Sequence, residues 1–441
     1  MEKSKGFRTL LLLLLLLMVL GWISFGSDNR PRPAAAAEQY QELQLFTDVL
    51  AIVRRSYVEE VPMKDLVYGA IDGMLAALDP HSSFMPPDVY KEMKIDTRGE
   101  FGGLGIEITI RDGALIIVSP IEDTPAFRAG LQAGDQILKI EDKLTKDMSI
   151  MDAVKLMRGP KGAKITITIF REGFEKPREF TLEREIIKIQ SVKGKTLQQG
   201  YGYLRITQFQ ERTGDDLLRA LKTLNDANQG QLKGLILDLR NNPGGLLDQA
   251  VSVSDAFLRQ GLIVYTDGRE EGSRMEFPAH NQGNEPTYPL VVLVNGGSAS
   301  AAEIVAGALQ DHGRAVILGT QSFGKGSVQT ILPLSDHSGL RLTTARYFTP
   351  LGTSIQAKGI TPDIMVEQLE LQAGKEGRSF REKDLKNHIE TPGSKPAEPA
   401  AEAESPPLPD GDIQRDYQLM RALDLLKGWQ LLEGFNGRKA A

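Results

Sequence analysis

The sequence predicts a mixed α/β protein, and three observations carry that reading. Across 186–370, apolar runs of strand type alternate with helical stripes, as in Leu235–Leu239, then 247–258, then Leu290–Val294. Across 97–185 the chain instead shows short β-type runs separated by clustered glycines. Both ends recover the 3.6-residue apolar period of amphipathic helices.

Composition narrows the function classes. Hydrophobic residues make up 41% and charged residues 25%, ordinary values for a globular chain. A net charge of −6 gives no basic field, so nucleic acid is not a favoured partner. With no cysteine, a disulfide framework, a thiol nucleophile and a cysteine zinc site are all excluded. The five histidines never occur in H-E-x-x-H spacing, so neither a metal site nor a cofactor is predicted.

Lys3, Lys5 and Arg8 precede an apolar run from Leu10 to Phe25. That is the pattern of an export signal, and residues 1–37 are read as a signal peptide or membrane anchor. Ala34–Ala37 offers a cleavage site, but Asp28–Pro33 intervenes, so an uncleaved inner-membrane anchor stays open. Either way the working part lies outside the cytoplasm, in the periplasm or cell envelope.

Residues 38–96 form a helical module. Tyr40, Leu43, Phe46, Val49, Leu50 and Val53 recur at helical spacing, and a second helix from Met63 to Leu78 stops at Asp79-Pro80. Asp79-Pro80-His81-Ser82 reads as a turn, and His81 as structural. These apolar stripes predict packing on the body of the chain, with a second subunit as the alternative.

In 97–185, Gly102-Gly103-Leu104-Gly105-Ile106 leads into a strand, Ala114–Val118 is another, and Asp152–Met157 is a helix stopped by Gly159-Pro160. Lys164–Phe170 closes the unit as a strand. The Gly-Leu-Gly-Ile loop and the string Ala129-Gly130-Leu131-x-x-Gly134-Asp135-x-Ile137-Leu138 resemble a PDZ domain. Clustered glycines leave amides free to receive a terminal carboxylate, and the neighbouring strand edge can pair with an extended peptide. Gly103, Leu104, Gly105 and Ile106 are the expected carboxylate-binding residues.

In 186–370, the strand Leu290–Val294 runs through Asn295-Gly296-Gly297-Ser298-Ala299 into Ser300 and a helical pattern. A serine at a strand-to-helix turn is held clear of its own backbone beside free helix amides. Lys325 follows between Gly324 and Gly326, with Gln329 four positions on. Gly319–Lys325 matches the opening of a phosphate-binding loop, but Gly326 stands where Ser or Thr should bind magnesium, and strand follows instead of helix. His312 lies roughly 18 Å from Ser300 along the helix at about 1.5 Å per residue, too far for a base. A Ser300–Lys325 pair remains, with the lysine's basicity lowered by burial and its amine oriented by the neutral amide of Gln329. Acyl transfer also needs oxyanion donors. Ala301 N–H is one, and the Pro243-Gly244-Gly245 turn supplies a second, Gly244 first and Gly245 as the alternative. Glu303 is the weaker candidate, favouring the helix dipole.

These residues resemble the carboxyl-terminal processing (tail-specific) serine protease family over about 40–368. The resemblance rests on Asp79-Pro80-His81-Ser82, the PDZ loop, Asp238-Leu239-Arg240-x-Asn242-Pro243-Gly244-Gly245, Asn295–Glu303, Phe323–Gln329 and Gly359-Ile360-x-Pro362-Asp363. It implies a crotonase-like protease core with an inserted PDZ domain, and a Ser300–Lys325 dyad supported by Gln329. It also implies protein or peptide substrates with exposed C-termini, and gating by the PDZ domain. Arg158 matches the location of a switching arginine; a solvated arginine near a helix end is the bland alternative. Two rivals are a catalytically silent PDZ adaptor and an acyl-CoA enzyme of the crotonase type. Peptide binding without turnover would mark the first, and CoA binding the second.

Residues 371–412, rich in Lys, Glu, Pro, Ala and Ser, are read as a flexible linker. In 413–441 a helical stripe returns (Tyr417, Met420, Leu423, Leu426), and homodimerisation through the N- and C-terminal helical segments is an expectation.

Overall fold

The computed structural model describes residues 33–439, apart from 112, 147, 282, 284 and 370–415. The expected export signal, up to residue 32, and nearly all of the expected linker lie outside the described residues. Among the described residues, no helix is long and apolar enough to cross a membrane. The chain divides into two compact units between Phe84 and Met85.

In the first unit the helices Pro33–Ser56 and Met63–Ala76 appear as the apolar period predicts. Tyr40, Leu43, Phe46, Val49 and Ile52 of the first helix are exposed, while Leu50 and Val53 are partly buried. The turn after the second helix is built by Asp79, whose Oδ1 accepts the N–H groups of His81 and Ser82, each at 2.8 Å.

The described residues form four sheets, two of them six-stranded. In the first, Ile106–Arg111, Ala114–Pro120, Gln136–Ile140, Lys164–Phe170 and Arg178–Glu183 pair in that order, all antiparallel. The last of these strands extends the unit past Lys164–Phe170, where the sequence reading had closed it. Its run Arg178-Glu179-Phe180-Thr181-Leu182-Glu183 is mostly polar, because only Leu182 is buried. The alternating face of Lys164–Phe170 puts Ile165, Ile167 and Ile169 into a core with Leu115, Ile117, Ile137 and Ile140. Glu100–Gly103 pairs with Glu185–Lys188, so the two chain segments flanking this subdomain are tied together.

The other six-stranded sheet has the order Val192–Gln198, Tyr201–Ile206, Gly234–Asp238, Leu290–Val294, Val316–Gly319, Ile364–Met365. The first pair is antiparallel and the rest are parallel. Gly234–Asp238 and Leu290–Val294 are buried throughout, as expected of central strands covered on both faces. Thr213–Ala227, Leu247–Asp255 and Ala301–Asp311 are the helices between them. The expected hairpin also forms, Ser327–Pro333 against Gly339–Phe348. Gly339–Phe348 pairs in turn with Leu262–Gly268, and that strand with Met275–Pro278.

The C-terminal helix Tyr417–Lys439 packs an apolar stripe onto the chain's own sheet. Leu419, Ala422, Leu423 and Leu426 are buried against Tyr201, Tyr203, Ile236, Val291, Leu293 and Leu318 of the same chain's sheet. That packing removes the apolar face on which the C-terminal part of the dimer expectation relied.

Candidate active site

The site forms where the parallel strands Gly234–Asp238 and Leu290–Val294 end at their C-terminal edge, the usual place for a site in such sheets. Polar side chains stitch the two following turns together. Asn295 Oδ1 accepts Asn241 N–H at 2.9 Å and Gly297 N–H at 3.0 Å, while its Nδ2 donates to Asn241 Oδ1 at 2.9 Å. Ser298 Oγ donates to Leu239 O at 2.8 Å, and Ala299 N–H to Asn242 O at 2.9 Å. The turn is therefore over-determined by contacts from two strands.

Such bracing permits the conformation of Ser300. Its φ is 55° and ψ −113°, a region that side-chain-bearing residues rarely occupy and that costs about 1–3 kcal/mol. Ser300 is buried at 8% exposure and stands at the N-cap of Ala301–Asp311. Ala301 N–H, the first of the helix, has no acceptor among the described residues.

Of the two glycine candidates, Gly244 N–H is already engaged, donating to Asn242 Oδ1 at 2.9 Å. Gly245 N–H has no acceptor among the described residues. Gly244 nevertheless has to be glycine. A Cβ there would lie 2.8 Å from Ser300 Cβ, at a φ of 100°.

Lys325 comes from the loop after Val316–Gly319. It is partly buried, and its pKa is lowered, first by desolvation and then by the positive charge of Arg341, with Glu303 opposing. Arg341 Nε is itself buried without a hydrogen-bond partner among the described residues. Gly326 lets the loop pass close to its neighbour, since a Cβ there would be 2.3 Å from Gln356 N.

The residue that sequence reasoning undervalued is Glu303. It is wholly buried, and its carboxyl group accepts four hydrogen bonds. Oε2 takes Ser300 N–H at 2.8 Å and Lys325 N–H at 2.9 Å. Oε1 takes Ser322 Oγ–H and Gly324 N–H, each at 2.6 Å. Ser322 Oγ in turn accepts Ile360 N–H at 2.6 Å, tying in the Gly359-Ile360 turn. A signal was present in the sequence: Ser300 and Glu303 have the spacing of a capping box, in which the glutamate reaches back to the N-cap amide.

The structure brings Ser300, Ala301, Gly244 and the Lys325 loop together, but not every expected contact is made. No hydrogen bond joins Ser300 Oγ or Gln329 to Lys325 among the described residues. Gln329 Nε2 donates instead to Ser327 Oγ at 2.8 Å and to Thr343 Oγ1 at 3.4 Å. A register shift between Val328 and Gln329 lies at this position of the hairpin.

In the glycine-rich subdomain, Ile106–Arg111 is an edge strand beside the helix Ile150–Met157. Gly103–Ile106 lies at its start. Leu104 and Gly105 N–H groups have no acceptor among the described residues, whereas their carbonyls accept from Ala126 and Ile121. Arg158, at the end of Ile150–Met157, is not a solvated arginine. Its guanidinium stacks 4.6 Å over the Phe101 ring and pairs with Glu92 on the helix Pro87–Arg98, and burial lowers its pKa. Lys155 pairs with Asp88 of the same helix at 2.8 Å.

Comparisons with known proteins agree with this layout. Residues 200–366 match Peptidase family S41, 116–171 match a PDZ domain, and 26–89 match the Activating protease CtpB N-terminal domain. The carboxy-terminal-processing protease of Bartonella bacilliformis is 49% identical over 387 residues, 87% of this chain and 89% of that relative. The carboxyl-terminal-processing protease of Synechocystis sp. is 41% identical over 382 residues, 81% of this chain and 86% of the relative. A solved photosystem II D1 C-terminal processing protease is 30% identical, covering 74% of this chain and 92% of its own, with a TM-score of 0.43. Identity of this depth along nearly the whole of a carboxy-terminal-processing protease establishes that the chain belongs to that family of serine-type proteases, peptidase family S41.

Proposed function

We propose that this protein is an exported endopeptidase that cleaves protein substrates near their C-termini, with Ser300 as nucleophile and Lys325 as general base. The observation that carries the reading is the shared carboxyl group of Glu303. It binds the backbone of Ser300 and of Lys325, so the two side chains are positioned by one buried anchor. The strained φ of Ser300 and the lowered pKa of Lys325 support the same roles.

Lys325 in its neutral form takes the Ser300 hydroxyl proton as Oγ attacks the scissile carbonyl carbon. Ala301 N–H and Gly245 N–H receive the developing oxyanion. Collapse of the tetrahedral species breaks the C–N bond, Lys325 returns the proton to the leaving amine, and water then hydrolyses the acyl-serine. The Ser300–Lys325 hydrogen bond forms as substrate binds, since catalytic contacts are often loose in the free enzyme. Gln329 turns toward the amine in that state.

Residues 97–185 act as the recognition domain and 186–370 as the protease core. The substrate carboxylate binds the amides of Gly103–Ile106, and the tail pairs with the edge strand Ile106–Arg111. The pairs Arg158–Glu92 and Lys155–Asp88 hold the recognition domain in its resting position. The apolar run Leu10–Phe25 directs export, and the site works in the periplasm or cell envelope.

Ser300→Ala and Lys325→Ala tested on an unfolded protein substrate, with products mapped by mass spectrometry, decide the reading. Loss of cleavage in both variants with the fold intact is the expected result; wild-type cleavage in both would sink the mechanism. Amidating the substrate C-terminus slows cleavage if the carboxylate is read, and leaves it unchanged if not.

A further inference from the structure

We infer that Asp416, at the start of the C-terminal helix, is a positioning residue for the oxyanion turn, acting through Arg240. The inference deepens the reading above and rests on it only for the catalytic consequence.

The chain of contacts begins in the centre of the sheet. Asp238 ends a fully buried strand and is itself completely buried. Arg240, 6% exposed, folds back over it: Nε donates to Asp238 Oδ1 at 2.9 Å and Nη2 to Oδ2 at 2.6 Å. The far side of the same guanidinium is capped by the C-terminal segment. Nη1 and Nη2 donate to Asp416 Oδ1 and Oδ2 at 2.9 and 2.6 Å, and Nη1 also donates to Gln418 Oε1 at 3.0 Å. Tyr203 OH donates to Asp238 Oδ2 at 2.7 Å, which completes the first carboxylate. Arg240 is therefore clamped between two carboxylates, one from the core strand and one from the far end of the sequence.

Arg240 is also where the strand turns toward the site. Two residues on, Asn242 holds Gly244 N–H with its side chain and Ala299 N–H with its carbonyl. A displaced Arg240 would thus shift both the Pro243–Gly245 turn and the residue before Ser300. If Asp416 left, two buried guanidinium nitrogens would lose charged acceptors, a costly state that the side chain relieves by moving out toward water. The Asp416 carboxyl is ionised for this duty. Burial alone would raise its pKa, but the hydrogen bonds and charge of Arg240 outweigh burial and lower it. The docked helix supplies the anchorage, through Leu419, Ala422, Leu423 and Leu426.

The test uses the full-length chain as Asp416→Asn and Asp416→Glu. Asp416 is 24% exposed at its side chain, so neither change empties the core. Hydrogen exchange of peptides covering 240–246 and 295–301 is read beside turnover. Asp416→Asn is expected to speed exchange in both segments about tenfold. It should also lower kcat about tenfold with KM held within about twofold. Asp416→Glu should restore most of both. Unchanged exchange at 240–246, or a loss confined to KM, overturns the inference. If exchange rises as expected while wild type and Ser300→Ala are equally inactive, the positioning role stands and the protease mechanism is what fails.

Discussion

The carboxyl group of Glu303 accepts the backbone N–H of Lys325 at 2.9 Å, so the lysine is positioned through its main chain while its amine has no hydrogen-bond partner among the described residues. The same oxygen accepts Ser300 N–H at 2.8 Å. One buried side chain thereby sets the distance between the two loops, and it does so without engaging either reactive atom.

Glu303→Ala removes the acceptor of four donors at once. It is expected to destabilise the fold by about 3–5 kcal/mol, measured by urea unfolding. Glu303→Gln keeps the volume but turns an NH2 group toward two N–H donors or toward the Ser322–Gly324 pair. Cleavage should fall about a hundredfold or more, through misplacement of the reacting groups. Near-wild-type turnover of Glu303→Gln would show that the anchor is dispensable.

The pH dependence follows from Lys325. A base must be neutral to act, so kcat/KM rises with pH through the lowered pKa of this amine. Arg341→Gln removes the positive charge that, after desolvation, lowers it, so the acidic limb of the profile should move to higher pH. A limb that stays in place or moves to lower pH would remove Arg341 from the account. Stability carries the same sign. Between the lowered folded pKa and the ordinary 10.5, the unfolded chain binds a proton that the folded one does not, so this group's contribution improves as pH rises.

Gly105 sits at φ 77°, and a Cβ there would lie 2.3 Å from Thr124 Cβ. Gly105→Ala should therefore distort the loop and abolish capture of a free C-terminal carboxylate, read as lost affinity for a tail peptide. Labelling of Ser300 by a small serine-reactive phosphonate should persist, because the distortion lies in the other sheet system. Unaltered peptide affinity would exclude Gly103–Ile106 as the carboxylate site.

Much of the fold was legible along the chain. Leu290–Val294, the turn to Ser300 and the helix that follows appear where apolar pattern and small residues predicted. The hairpin of 327–333 with 339–348 was equally legible. What escaped was Arg178–Glu183, where only Phe180 and Leu182 are apolar, and Val192–Gln198, whose residues are mostly exposed. A sequence also cannot say which of the Gly244 and Gly245 amides is already occupied, as Gly244 N–H is by Asn242 Oδ1.

By itself, the sequence determined the mixed α/β class, the resemblance to a protease with a PDZ domain, and Ser300 and Lys325 as the residues to examine. These follow from periodicity and from motifs of adjacent residues, which local backbone preferences make readable. Only the tertiary structure decided that Glu303 joins the two loops, that Glu92 holds Arg158, and that Asp416 caps Arg240. It also turned the C-terminal stripe inward onto the chain's own sheet. Such pairings depend on strand register and packing between distant segments. The hydrophobic pattern places each residue on a face but does not say which distant side chain meets it there.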